Sequence, residues 1–349
     1  MGKYTAIDDP SAYFQCELYT GNSSTNAITF SGNSDMKPDL VWQKRRDAAY
    51  YHRLWDSNRG VTKYLASNDS IAEATFGYVS SFDTDGITFG SSDQSVNVNG
   101  GSYVLWNWKA NGGTTSSNTD GSKTATVQAN QDAGFSIITY AGSGSASTVG
   151  HGLADTPDVI IFKNRSAANV WATYHQGLGN NLKLELNGTG AQDADGSFMN
   201  GTLPTSSVFT VGASVNTNGS GSNYVAYCFA EKQGYSKFGK YIGNGSSDGP
   251  FVYTGFKPAF VMIKRADTTG GWTIYDTKRG YNGNNYELFP HSSEAEYTGT
   301  SFFEADILSN GFKLRLTDGQ INASNGTYIY MAFAENPFVT STGIMGTAR

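Results

Sequence analysis

Three prolines constrain this chain more than any other feature. Each is followed by the same kind of apolar strand and, twenty-two residues on, by a glycine. The segments are residues 37–45, 156–164 and 257–265, built around Pro38, Pro157 and Pro258. Proline presets the chain ahead of a strand and is excluded from the middle of a central one. A lysine lies six residues after each proline, at Lys44, Lys163 and Lys264. Each strand runs on into an aromatic stretch (Leu54-Trp55, Thr173-Tyr174, Ile274-Tyr275) that ends at Gly60, Gly179 or Gly280. Identical spacing through dissimilar residues predicts one hairpin of fixed geometry, made three times.

The flanks repeat as well. Each unit opens on a tyrosine with glycine two residues later (Tyr19, Tyr140, Tyr241). Each closes on an aromatic strand that starts at Tyr103, Tyr224 or Tyr328. A further strand signal precedes each closing strand, at 86–89, 208–211 and 311–314. The expected organisation is all-β: three tandem β-sandwich, jelly-roll-like repeats of six to eight strands. Repeat 1 with its N-terminal segment occupies 1–111, repeat 2 occupies 135–231 and repeat 3 occupies 232–338. Residues 112–134, rich in Gly, Ser and Thr, read as a flexible linker, and 339–349 as a C-terminal tail that is an extended arm or a frayed end. Only Ser70-Ile71-Ala72-Glu73-Ala74 suggests a helical turn.

Composition agrees with many short strands joined by polar turns. Glycine is 42 of 349 residues and charged residues are 15 %, against averages of about 7 % and about 25 %. The net charge is −6 and no basic block exceeds Lys44-Arg45-Arg46, which argues against nucleic acid as a partner. The apolar runs are too short for a membrane-spanning helix, and no membrane insertion is expected. The start of the sequence lacks the apolar stretch of a signal peptide. Two cysteines, Cys16 and Cys228, are too few for a disulfide framework or a zinc site.

Candidate chemistry is sparse. His52, His151, His175 and His291 show no metal-ligand spacing, and His175 stands where the other units have Asp56 and Asp276. The turns 83–86 and 193–196, each Asp-x-Asp-Gly, open like a calcium loop but lack its glutamate. Asp-Gly is also the ordinary turn dipeptide. No Gly-x-Ser-x-Gly elbow stands between strand and helix, and no carboxylate pair stands out. No catalytic, cofactor or metal residue is assigned, and the chain is not expected to be an enzyme. Trp171 and Trp272, each fourteen residues after its proline, are expected in the core. Tyr50, Tyr51, Tyr281 and Tyr286 fall outside the repeat pattern and are the candidates for a binding surface.

Residues 257–265, 276–280, 309–312 and 328–338, with the opening 4–11 and the ending Thr342-Gly343-Ile344, resemble a family of uncharacterised tandem-repeat proteins of tailed bacteriophages, many of them marine. The resemblance covers most of the chain and supplies no catalytic residues. It implies a virion structural protein assembled in the host cytoplasm, touching other virion proteins and host-surface glycan or protein, and homo-oligomeric on the particle. The expected role is a tail fibre or tail-associated protein for host attachment. A capsid-surface decoration protein is the alternative, and a polysaccharide-degrading enzyme comes third.

Overall fold

The strand after each proline and the closing strand of each repeat carry apolar residues on both faces, so each must bury two faces. A computed structural model, which describes residues 5–90, 92–282, 286–298 and 305–345, shows where both go. Apart from a 3-10 turn at Pro10–Ala12, the regular structure of the described residues is β-strand.

Each unit has an inner antiparallel sheet built on four strands in a common order, which unit two widens to eight. In the first the order is Phe14–Thr20, Ser102–Trp108, Leu40–Arg45, Arg53–Asp56. The second uses Phe135–Ala141, Asn223–Phe229, Val159–Asn164 and Ala172–His175 in the same order, and the third Ser236–Ile242, Thr327–Pro337, Phe256–Arg265 and Trp272–Asp276. A smaller sheet covers each one: Asn26–Thr29, Gly86–Phe89 and Val79–Asp83 in unit one, Ser147–Gly150 and Val208–Val211 in unit two, and Phe251–Tyr253, Gly311–Leu314 and Ala305–Leu308 in unit three. The opening strand pairs with the closing strand, and the second with the one before the closing strand, which is the nested pairing of a jelly roll.

Alternation then divides the core. In Asn223–Phe229, Tyr224, Ala226 and Cys228 face the unit's own sandwich. Val225, Tyr227 and Phe229 face a second core that all three units share. Trp108, Phe229 and Phe333 hold matched registers opposite Leu40, Val159 and Phe260. Their rings meet pairwise at 6.3, 5.5 and 5.8 Å, so they mark a pseudo-threefold axis. Such pairs contribute about 0.5–1.5 kcal/mol each beyond the area they bury. A void of about 20 Å³ remains beside them, lined by Leu40, Trp42, Ile161, Met262 and their neighbours.

The hairpin spacing has a local cause. Gly60, Gly179 and Gly280 all have positive φ, at 92°, 94° and 137°, a backbone region that glycine enters without penalty. A second recurrent device was not anticipated. Buried Asn97, Asn218 and Asn322 stand six residues before Tyr103, Tyr224 and Tyr328. Each of these tyrosines accepts a backbone N–H and donates to a carbonyl: Val98 N and Gln94 O, Gly219 N and Val215 O, Ala323 N and Gly319 O. Each also stacks on the opening tyrosine, at 4.7, 5.4 and 5.0 Å.

Two expectations are corrected. The segment 112–134 is not a free linker: Ser116–Asn118 and Ala125–Asn130 extend the inner sheet of unit two beyond its opening strand. Residues 122–123 run along the covering sheet, where Lys123 N donates to Thr148 O at 3.0 Å. Residues 70–74 form no helical turn, and Ala74–Thr75 pairs with Lys63–Tyr64. At the N-terminus Thr5, Ile7 and Pro10 are buried, and Ala6 N donates to Gln233 O in the connector between units two and three. Ser341 of the tail bonds to Asp8. Tyr4 and the last four residues of the tail lie outside the described residues.

Candidate functional site

The ionisable groups converge on the seams between units. At the seam from unit one to unit two, the Arg59 guanidinium lies 2.5 Å from Asp56 and 3.1 Å from Glu73, and Glu73 pairs with Arg165 of unit two at 2.8 Å. The Tyr227 hydroxyl of unit two donates to Asp56 at 2.6 Å. The seam from unit three to unit one repeats this with Arg279, Asp276, Glu296 and Arg46, and the donor is Trp106 Nε1 at 3.0 Å. Burial alone would raise the Glu73 carboxyl, but Arg165 and Arg59 hold it below the usual range. Arg59 and Arg279 are fully buried, yet their carboxylate partners keep both firmly charged.

The seam from unit two to unit three has none of these charges. The equivalent residues are His175, Leu178, Gln192, Ala266 and Met331. Backbone bonds fix the correspondence: Gln192 N donates to Ala266 O as Glu73 N does to Arg165 O and Glu296 N to Arg46 O. His175 Nε2 instead meets Tyr330 O at 3.1 Å. Five positions have changed together, which is what a buried ionic cluster requires, because removing one member strands the others.

The repeated lysines end in carbonyl cages at these seams. Lys163 Nζ donates to Ser70 O and Asn169 O, Lys264 Nζ to Gly190 O and Arg265 O, and Lys44 Nζ to Arg45 O. Burial, with Arg45 alongside, pulls Lys44 down to about 7, and burial pulls Lys163 and Lys264 to about 8. A third column joins the units. Trp171 Nε1 donates to Ala66 O, Trp272 Nε1 to Glu185 O, and His52, at the matching position, contacts Phe289 O. Trp171 and Trp272 are buried as expected.

The remaining candidates are absorbed by structure. Both cysteines are free and buried. Burial lowers all four histidines, His175 and His291 to about 4. No three His, Cys, Asp or Glu side chains among the described residues converge as a metal site. Asp83 accepts from Ser81 and Thr88, Asp85 from Met36 N, and Asp195 from Ser197, so these acids brace their turns. Glu287 is the exception among acids. It is buried, neither carboxyl oxygen has a hydrogen-bond partner among the described residues, and burial raises it to about 9.

The seam between units three and one also opens a cleft of about 320 Å³. Its floor is Phe14, Cys16, Ala259 and Ala334, and its walls carry Gln15, Glu17, Asn33, Lys278, Tyr281, Glu335 and Asn336. Lys278 stands 3.7 Å from Glu17, and Lys257 pairs with Glu335 at 2.9 Å while lying 5.2 Å from the Tyr281 ring centre. Of the four tyrosines singled out by sequence, Tyr281 lines this cleft. Tyr50 packs under Arg45 at 4.9 Å and exposed Tyr51 under Arg53 at 5.5 Å. Tyr286 is half-buried elsewhere in unit three. The four do not form one surface. The meeting of Glu17 with Glu335 was not anticipated, because it needs the first strand of the chain and the last.

A family model described as a domain of unknown function (DUF7483) matches residues 9–337. No curated protein and no solved structure matches the chain.

Proposed function

We propose that this chain, which belongs to the DUF7483 family, is a bacteriophage virion structural protein carried at the tail, where it contacts the host surface. The observation that carries this reading is the ring of three sandwiches around one aromatic core. Such a ring gives a rigid pseudo-threefold body whose loops emerge at fixed spacing, suited to seating on a trimeric partner such as a fibre. The resemblance of its motifs to tailed-phage proteins supports the same assignment. Placement on a capsid shell, as a decoration protein, is the second reading, favoured by the same pseudo-threefold axis, since shells also offer threefold positions.

Immunogold labelling of intact virions with antibody against this chain tests both. Gold at the tail is the expected result. Gold spread over the head moves the assignment to decoration, and particles without label overturn the virion reading altogether.

A further inference from the structure

We infer that the cleft between units three and one is a binding site for a neutral saccharide. The inference deepens the host-contact reading by naming the ligand class and the residues that meet it.

A ring of three like units offers three like clefts, one per seam, each between the hairpin turn of one unit and the opening strand of the next. Two are closed. At the first seam the added strands of 116–130 fill the space: Asn58 Nδ2 donates to Thr126 O and Ile137 O, and Gln128 Nε2 donates to Ser57 Oγ. At the second, Gln176 Nε2 donates to Phe238 O at 2.7 Å, and Lys237 pairs with Glu231 at 2.5 Å. At the third, the matched space stands open at about 320 Å³. The edge of the opening strand is guarded there without being covered. Ser31 N donates to Glu17 and Gly32 N to Gln15, which folds the 31–34 loop into a wall.

The lining has the chemistry of sugar recognition. A pyranose presents an apolar C–H face and a rim of hydroxyls that both donate and accept. The cleft has an uncharged floor, the half-buried Tyr281 at its side and amide groups at Asn33 and Asn336. Its two carboxylates are each matched by a lysine, Glu17 by Lys278 and Glu335 by Lys257, so the site as a whole favours neither anion nor cation. Uncharged ligands with many hydroxyls fit that balance, and carboxylates and ammonium groups bond hydroxyls more strongly than neutral partners do. The volume is at the small end of ligand pockets, with room for roughly one or two sugar rings.

The test uses the full chain and a panel of neutral disaccharides (lactose, maltose, cellobiose, chitobiose), followed by saturation-transfer NMR and calorimetry. At least one is expected to bind in the millimolar range or tighter. Tyr281→Ala and, separately, Glu335→Gln are each expected to weaken it roughly tenfold in protein that circular dichroism shows to be folded, while Tyr51→Ala leaves it intact. No binding across the panel at 10-millimolar order, or binding that survives both cleft variants, overturns the inference. Release of monosaccharide would make the site catalytic, with Glu17 and Glu335 as its acids, and also overturns a pure binding role. Virions that label while the cleft takes no sugar sink this inference alone, and a sugar-binding chain absent from virions sinks only the other.

Discussion

Arg59→Leu should be among the most damaging single substitutions in the chain, and its cost should largely vanish when four neighbours change with it. The Arg59 and Asp56 side chains are both fully buried. The guanidinium bonds Asp56, Glu73, Leu54 O and the Tyr227 hydroxyl. Leucine keeps the packing volume but leaves the Asp56 carboxylate in the core without its counter-ion. Breaking a buried pair from one side costs about 3–5 kcal/mol. The neutral seam shows what a compensated site looks like. The combination Asp56→His, Arg59→Leu, Glu73→Gln, Arg165→Ala and Tyr227→Met installs the residues of the second seam at the first. No charge is then stranded, and the imidazole gains the carbonyl of Ala226, which matches that of Tyr330. Replacing a whole buried ionic cluster by apolar groups is close to neutral, so the expected net cost is under about 2 kcal/mol, less than the single substitution. Guanidinium denaturation followed by tryptophan fluorescence reads both variants. The reasoning fails if Arg59→Leu costs under about 1 kcal/mol, or if the five-fold variant is no more stable than the single one.

Two further outcomes follow from single side chains. Tyr224→Phe leaves Gly219 N and Val215 O without the hydroxyl that joins them, and should cost about 1–3 kcal/mol by the same assay; matched Tyr103→Phe and Tyr328→Phe should fall in that range, and a neutral result at all three refutes a shared corner. Glu287 has its pKa raised from the ordinary 4.5 to about 9 by burial, so the folded state holds a proton that the unfolded state releases. That contribution is fully present below about 4.5 and is lost as pH rises towards 9. Glu287→Gln should therefore gain stability over the parent as pH climbs from 5 to 8, and thermal melts showing a constant difference across that range would contradict this.

How much of this was legible in sequence depends on which partner a residue needs. The proline-to-glycine hairpin was visible because its cause is local: Gly60, Gly179 and Gly280 take a backbone that other residues resist. The sandwich assignment followed from the repeated strand signals at short, even spacing, and the burial of Trp171 and Trp272 from their matched place fourteen residues after each proline. The misread segment, 112–134, shows the limit of composition. Ser116–Asn118 is an exposed edge strand, and natural edges are polar, so its Ser, Thr and Asn content matches that of a tether. The central core was beyond reach for another reason. Strands such as Val159–Asn164 announce two buried faces, but nothing in them says that the second face meets another unit. The replacement of Asp56 and Asp276 by His175 could be noticed in sequence. Its meaning could not, because the answering changes at Gln192, Ala266 and Met331 are scattered over two units.

The placement of the charged seams follows from chain connectivity. Units two and three are joined through residues 232–236 alone, so their seam forms at high effective concentration. Its register needs no buried ionic cluster, and none joins it among the described residues, where Lys264 is held by carbonyls instead. The seam from unit three to unit one joins residues some 170 to 250 positions apart, as in Trp106 with Asp276 and Arg46 with Glu296. There the chain must choose between its own unit one and that of another molecule, and a buried ionic cluster penalises any misaligned union by stranding a charge. Moving the neutral set to this seam (Asp276→His, Arg279→Leu, Glu296→Gln, Arg46→Ala, Trp106→Met) should therefore leave the closed ring only modestly less stable while removing that penalty. After refolding at high concentration, the variant should yield more exchanged multimers on size exclusion than the parent, and the same swap at the first seam should yield fewer. If both swaps refold to the same distribution as the parent, the buried charges at the third seam do not select the intramolecular closure.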